Sequence, residues 1–188
     1  MEFTLVYRGQ LKPDKSSELK DKWAIRREIH KQLVELWKQE PLYGHVQNMH
    51  FLEDNPPNGA TSIIKNIGGF RFAPLVCMKL CLIAELTITF LRPEPLGLII
   101  TKGGDIDNRL KTLFDALRMP QTPDEIKGNT PGTDENPFFC LLEDDNLITK
   151  VSVTTDRLLE PGDRYFVNLL IGVRTKATQL YFDNIDLS

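Results

Sequence analysis

The sequence has little cysteine, histidine or tryptophan, with three, three and two of them. Cys77, Cys81 and Cys140 form an odd set without CxxC spacing. That argues against a disulfide framework and against a structural zinc site. Free thiols in a reducing cytoplasm are the simpler expectation. His45 and His50 stand five residues apart, badly spaced for one helix face, so no metal role is assigned to them. No apolar run is long enough to span a bilayer, and the N-terminus has no signal-peptide pattern, so no membrane partner is expected. Neither G-x-G-x-x-G nor G-x-x-x-x-G-K-[ST] occurs, and no repeat is present. Positive charge is not in excess either. The net charge is −3 and the sequence pI about 5.7, so nucleic-acid binding would need a local basic surface.

What remains is the composition of a soluble globular chain, with 41% hydrophobic and 26% charged residues. Residues 1–188 are expected to form one domain, with loop insertions at 42–69 and 118–137. Phe3–Tyr7 favours a strand, ended by Gly9 and Pro13. A long helix should follow, capped by Ser16 or Ser17 and running to about Gln39, with Pro41 as its stop. Ile25, Ile29, Leu33 and Leu36 form its apolar stripe, and Trp23 and Trp37 sit at its margins. Lys22, Arg26, Arg27 and Lys31 make the best basic patch of the N-terminal half, although mixed charges usually mark a solvated face.

Tyr43 to Gly69 reads as irregular, with a turn at Asn55-Pro56-Pro57-Asn58-Gly59 and a glycine pair at its end. β-rich runs follow at Phe70–Val76 and Met78–Leu91, broken by Arg92, Pro93 and Pro95. The segment Arg118–Asn136 reads as a surface loop with a short helix near Asp124–Lys127. Its Asp124, Glu125, Asp134 and Glu135 would repel a phosphate backbone. The run Tyr165–Val173 is almost wholly apolar, as in a strand covered on both faces. The order β, α, β, α, β, β gives an α+β class, a small mixed sheet with two main helices packed on it.

Two acidic clusters carry the candidate chemistry. After Lys102-Gly103-Gly104, Asp105 and Asp107 stand one residue apart. A helix-like run then begins, with Leu110, Leu113, Phe114 and Leu117 on its apolar side and Asn108, Lys111 and Asp115 opposite. One Asp could simply cap that helix. Two, with a lysine one turn later, exceed what capping needs. The second cluster is Glu143-Asp144-Asp145-Asn146, at the entrance of the strand-like Leu147–Val153.

Together, D-x-D-N-x-x-K-x-x-x-D-A-L followed by D-D before a strand resembles the RusA family of Holliday-junction resolvases. The close match covers about two dozen residues, with looser agreement in element order from Leu80 to Val173. The resemblance implies a Mg²⁺ site (Mn²⁺ can substitute) held by Asp105, Asp107 and Asp145, with Lys111 needed for catalysis. Asn108 matches the family's Asn and would orient a ligand carboxylate or touch phosphate. Lys102, Arg26 and Arg27 are the remaining candidates for DNA contact. Asp144 reads as supporting, since neighbours along an extended chain point in opposite directions. The resemblance further implies a homodimer that nicks a four-way junction symmetrically in DNA recombination and repair. The alternative is a module of the same fold that binds branched DNA or a protein without cutting, or a nuclease acting on other branched or flap DNA. A DxD glycosyltransferase using Mn²⁺ is disfavoured, because the DxD opens directly into a helix and the chain is short for a nucleotide-binding α/β domain.

Overall fold

Among the described residues, two mixed sheets carry three α-helices. The computed structural model describes residues 1–57, 59–93, 106–160 and 165–188. The chain runs β1 (Glu2–Gln10), α1 (Leu19–Leu36), α2 (Leu42–Met49), β2 (Lys65–Ile67), β3 (Phe70–Val76) and β4 (Leu82–Arg92). It continues through α3 (Ile106–Leu117), β5 (Phe138–Leu142), β6 (Ile148–Arg157) and β7 (Phe166–Ala177). The class is α+β. The expected single sheet is divided into a four-stranded sheet, β1-β7-β4-β6, and a three-stranded one, β2-β3-β5. β4 pairs parallel with β6 and antiparallel with β7, and β3 pairs parallel with β5.

Period-two alternation explains the larger sheet. In β4, Leu82, Ala84, Leu86, Ile88 and Phe90 are buried, while Glu85, Thr87 and Thr89 point away. β7 alternates in the same way, burying Val167, Leu169, Ile171 and Val173, with Leu170 40% exposed. The expectation of a strand covered on both faces is corrected by this: only one face meets the core. Edge β1 is closed by a side chain, since Gln32 on α1 accepts from Val6 N–H at 2.8 Å and donates to Val6 O at 2.7 Å.

α1 begins later than expected. Asp14–Ser16 is a separate 3-10 turn, and Glu18 caps α1 reciprocally with Asp21. Trp23 and Trp37 are core residues, not marginal ones, at 1% and 4% exposure. Trp23 seeds a second, smaller core with Phe70, Phe72, Met119, Ile126, Phe138 and Cys140. Its ring lies 5.0 Å from Phe70 and 5.7 Å from Phe138, and its indole N–H donates to Glu125 O at 2.8 Å.

The segment 42–69 is more ordered than expected. α2 lies in it, burying Leu42 and His45, and His45 stacks on Phe51 at 5.1 Å. Gly68 and Gly69, at φ +56° and +86°, make the two-residue turn that joins β2 to β3. The segment 118–137 is a loop with a short 3-10 helix at Pro123–Glu125. No described helix is long and apolar enough to cross a membrane.

Candidate active site

α3 is amphipathic as its sequence period requires. It buries Arg109, Thr112, Leu113, Ala116 and Leu117, while Leu110 and Phe114 lie half-buried against the main core. The buried face is rotated slightly from the expected stripe, because the fully buried Arg109 lies over the Tyr165 ring at 5.7 Å. Asp107 and Lys111 are left exposed, with Asn108 and Asp115 at the margins. Asp107 stands in the first turn, where its Oδ1 accepts from Asn108 N–H at 2.8 Å. Asp105 and Lys102 lie outside the described residues.

The second cluster divides its duties. Glu143 turns to Lys65, with Oε1 2.9 Å from Nζ, and accepts from Met78 N–H at 2.9 Å. Asp144 caps the 3-10 turn Asp145–Leu147 by accepting from Asn146 N–H at 2.9 Å. Asp145 is exposed at the entrance of β6. Desolvation of its carboxyl, then the Asp144 carboxylate, raises its pKa above the ordinary value, and Arg118 offsets part of the rise. The turn that carries it packs on α3.

α3 and α1 are tied by an ion-pair network. Lys22 Nζ is 2.6 Å from Asp115 Oδ2 and 3.4 Å from Asp14 Oδ1. Lys111 Nζ is 2.8 Å from Asp14 Oδ2. Arg118 joins Asp115 at 3.3 Å and Glu125 at 3.0 Å. Lys111 therefore pairs with neither Asp107 nor Asp115, its helix neighbours, but with a turn 97 residues earlier.

The expected basic patch is not an open surface. Arg26 is 3% exposed and donates to the carbonyls of Asp115 at 2.6 Å and Arg118 at 3.2 Å. Its place as a DNA contact is corrected: a buried guanidinium spent on carbonyls cannot meet a phosphate backbone. Arg27 lies over Trp23 at 5.3 Å and holds Glu135 at 2.8 Å, strapping the 129–135 loop to α1. Lys31 pairs with Glu28. The acidic loop is correspondingly quieter than expected, since Glu125 and Glu135 are neutralised by Arg118 and Arg27.

Neither a protein-family model, nor a curated protein, nor a solved structure resembles the chain significantly. The resemblance to RusA resolvases rests on its own residues. Their donor chemistry suits a hard divalent cation, because carboxylate oxygens are what Mg²⁺ takes. Desolvation first and the Asp144 carboxylate second raise the Asp145 pKa, and a nearby cation would act against both. Among the described residues no group of three metal-ligating side chains is gathered, and Asp105 is not among them.

Two features of the structure escaped the sequence reading. Asp14 and Lys22 reach α3 through contacts that no local spacing announces. His30, buried on α1, accepts from Phe139 N–H through Nδ1 at 2.9 Å, stacks on Phe138 at 4.4 Å, and sets Nε2 3.2 Å from Asp134 O. Its neutral form, with the proton on Nε2, satisfies both bonds.

Proposed function

We propose that the chain is a divalent-metal-dependent endodeoxyribonuclease acting on branched DNA, with the four-way junction of recombination and repair as its substrate. The observation that carries this reading is the exposed face of α3. Asp107, Asn108 and Lys111 are presented at the helix start, while the turn bearing Asp145 packs on the same helix. Asp105, Asp107 and Asp145 would hold the cation, Mg²⁺ or Mn²⁺. When bound, such a cation supplies an activated water and offsets charge on the phosphoryl oxygens. Asp107, whose Oδ1 accepts from Asn108 N–H, would offer its carboxylate to the cation. Lys111 would bring its ammonium to the scissile phosphate, where charge develops. A homodimer with two-fold symmetry would match the symmetry of a four-way junction and place two sites for paired nicks.

The test is a substrate panel: a labelled four-way junction, a flap and a linear duplex, each with Mg²⁺. Paired symmetrical nicks in the junction alone are expected. Cutting of flaps alone would retain the metal chemistry and remove the junction. A second reading is a binding module that does not cut. Junction binding without cleavage in either metal would select it.

A further inference from the structure

Lys22 and Lys111 come from elements far apart in sequence and converge on one carboxylate. Asp14 offers Oδ2 to Lys111 at 2.8 Å and Oδ1 to Lys22 at 3.4 Å. Two oxygens on one centre, each facing an ammonium group, are what a phosphate would present in the same place. Asp115 holds Lys22 independently at 2.6 Å, so that cation keeps its position if Asp14 leaves. Lys111 is 62% exposed at its side chain, so solvent and a ligand can reach it. Asp14 stands on a 3-10 turn that buries no residue and has no side-chain cap. The hydrophobic core does not require its carboxylate.

We propose that Lys22 and Lys111 form a phosphate subsite for the nucleic-acid backbone, and that Asp14 is its resident anion, displaced when a phosphate docks. The inference rests on the DNA reading above and assigns that site an internal competitor. Asp14 repels an approaching backbone and occupies the cation meant for it. The Lys111 side of the network is open to solvent, and a surface ion pair of that kind is weak enough for a backbone phosphate to displace. The chain thereby keeps its lysines ordered while holding back adventitious polyanions, which suits a protein of net charge −3.

The experiment measures binding of a synthetic four-way junction and of a linear duplex, without divalent cation, across a salt series. It compares the wild type, Asp14→Asn, Asp14→Glu and Asp14→Asn/Lys111→Gln. Asp14→Asn should bind junction about two- to fivefold more tightly at low salt, the scale of one exposed ion pair. Its log–log salt slope should match that of the wild type, because the same phosphates are neutralised in both chains. Asp14→Glu should behave as wild type, and the double variant should lose the gain. Asp14→Ala serves as a second neutral variant, and thermal unfolding confirms that each chain is folded. If the wild type binds DNA and neither neutral variant binds more tightly, the resident-anion inference is overturned and the DNA reading stands. If no variant binds either DNA, both fall.

Discussion

Lys22 and Asp115 meet at 2.6 Å across 93 residues of sequence, and both side chains are largely shielded from water. This pair fastens α1 to α3, the helix that carries Asp107 and Lys111. Asp115 also receives Arg118, so removing its charge leaves two cations facing each other. Asp115→Ala should cost about 1–3 kcal/mol, the range for lost hydrogen bonds to charged groups, with Asp14 and Glu125 left to hold Lys22 and Arg118. Denaturant unfolding measures it. A loss below about 0.5 kcal/mol, the scale of an ordinary surface change, would show that the network is ornamental.

Trp23 tests the smaller core. It is 1% exposed, packs on Phe70 and Phe138, and donates to Glu125 O. Trp23→Ala should destabilise by about 3–5 kcal/mol. Trp23→Phe keeps most of the packing but leaves the Glu125 carbonyl without its donor, and should cost less. Equal costs for the two would contradict the packing account.

α3 and β4 were legible in the sequence because their apolar residues recur at the period of the element, and β3 and β7 because they are bounded apolar runs. α2 was not legible. Pro41 read as a stop, and Gly44 penalises a helix by about 1 kcal/mol relative to alanine. Burial of Leu42 and His45 overrides both. The Gly68-Gly69 pair did hold a hairpin signal between its flanking β-formers. The split into two sheets had no local signal, nor did the burial of Arg26. Both depend on which distant elements meet. Of the candidate site, residue types and helix placement were legible, whereas the ion pairing of Lys111 with Asp14 was not.

His30 should make stability pH-dependent. Burial, the dominant cause, lowers its pKa below the ordinary value of 6.5. The folded state therefore binds a proton less readily than the unfolded chain, and stability falls as pH drops below about 6.5. Protonation also removes the acceptor of Phe139 N–H. His45, likewise lowered by burial, adds to the same trend. His30→Gln keeps an acceptor without a titrating ring, so its stability should decline less between pH 7 and 5 than that of the wild type. Identical pH slopes in the two proteins would rule out this role for His30.

Asp145 should trade stability for function. Its folded pKa is raised, by desolvation first and by Asp144 second. Its ionised form is thus disfavoured in the folded state, and the deficit develops as pH rises above the ordinary 3.8. Asp145→Asn should be at least as thermostable as the wild type at neutral pH without metal, and should lose any stabilisation conferred by Mg²⁺. A variant clearly less stable in metal-free buffer would contradict this assignment.

The central claim is that carboxylates at the start of α3 serve metal-dependent cleavage of DNA. The most direct measurement incubates a labelled four-way junction with wild type and with Asp107→Asn, in Mg²⁺, in Mn²⁺ and in chelator. Cleavage by the wild type in either metal, none in chelator, and at least a hundredfold loss in folded Asp107→Asn are expected. Equal cleavage by the two proteins, or cleavage that persists in chelator, would contradict the claim.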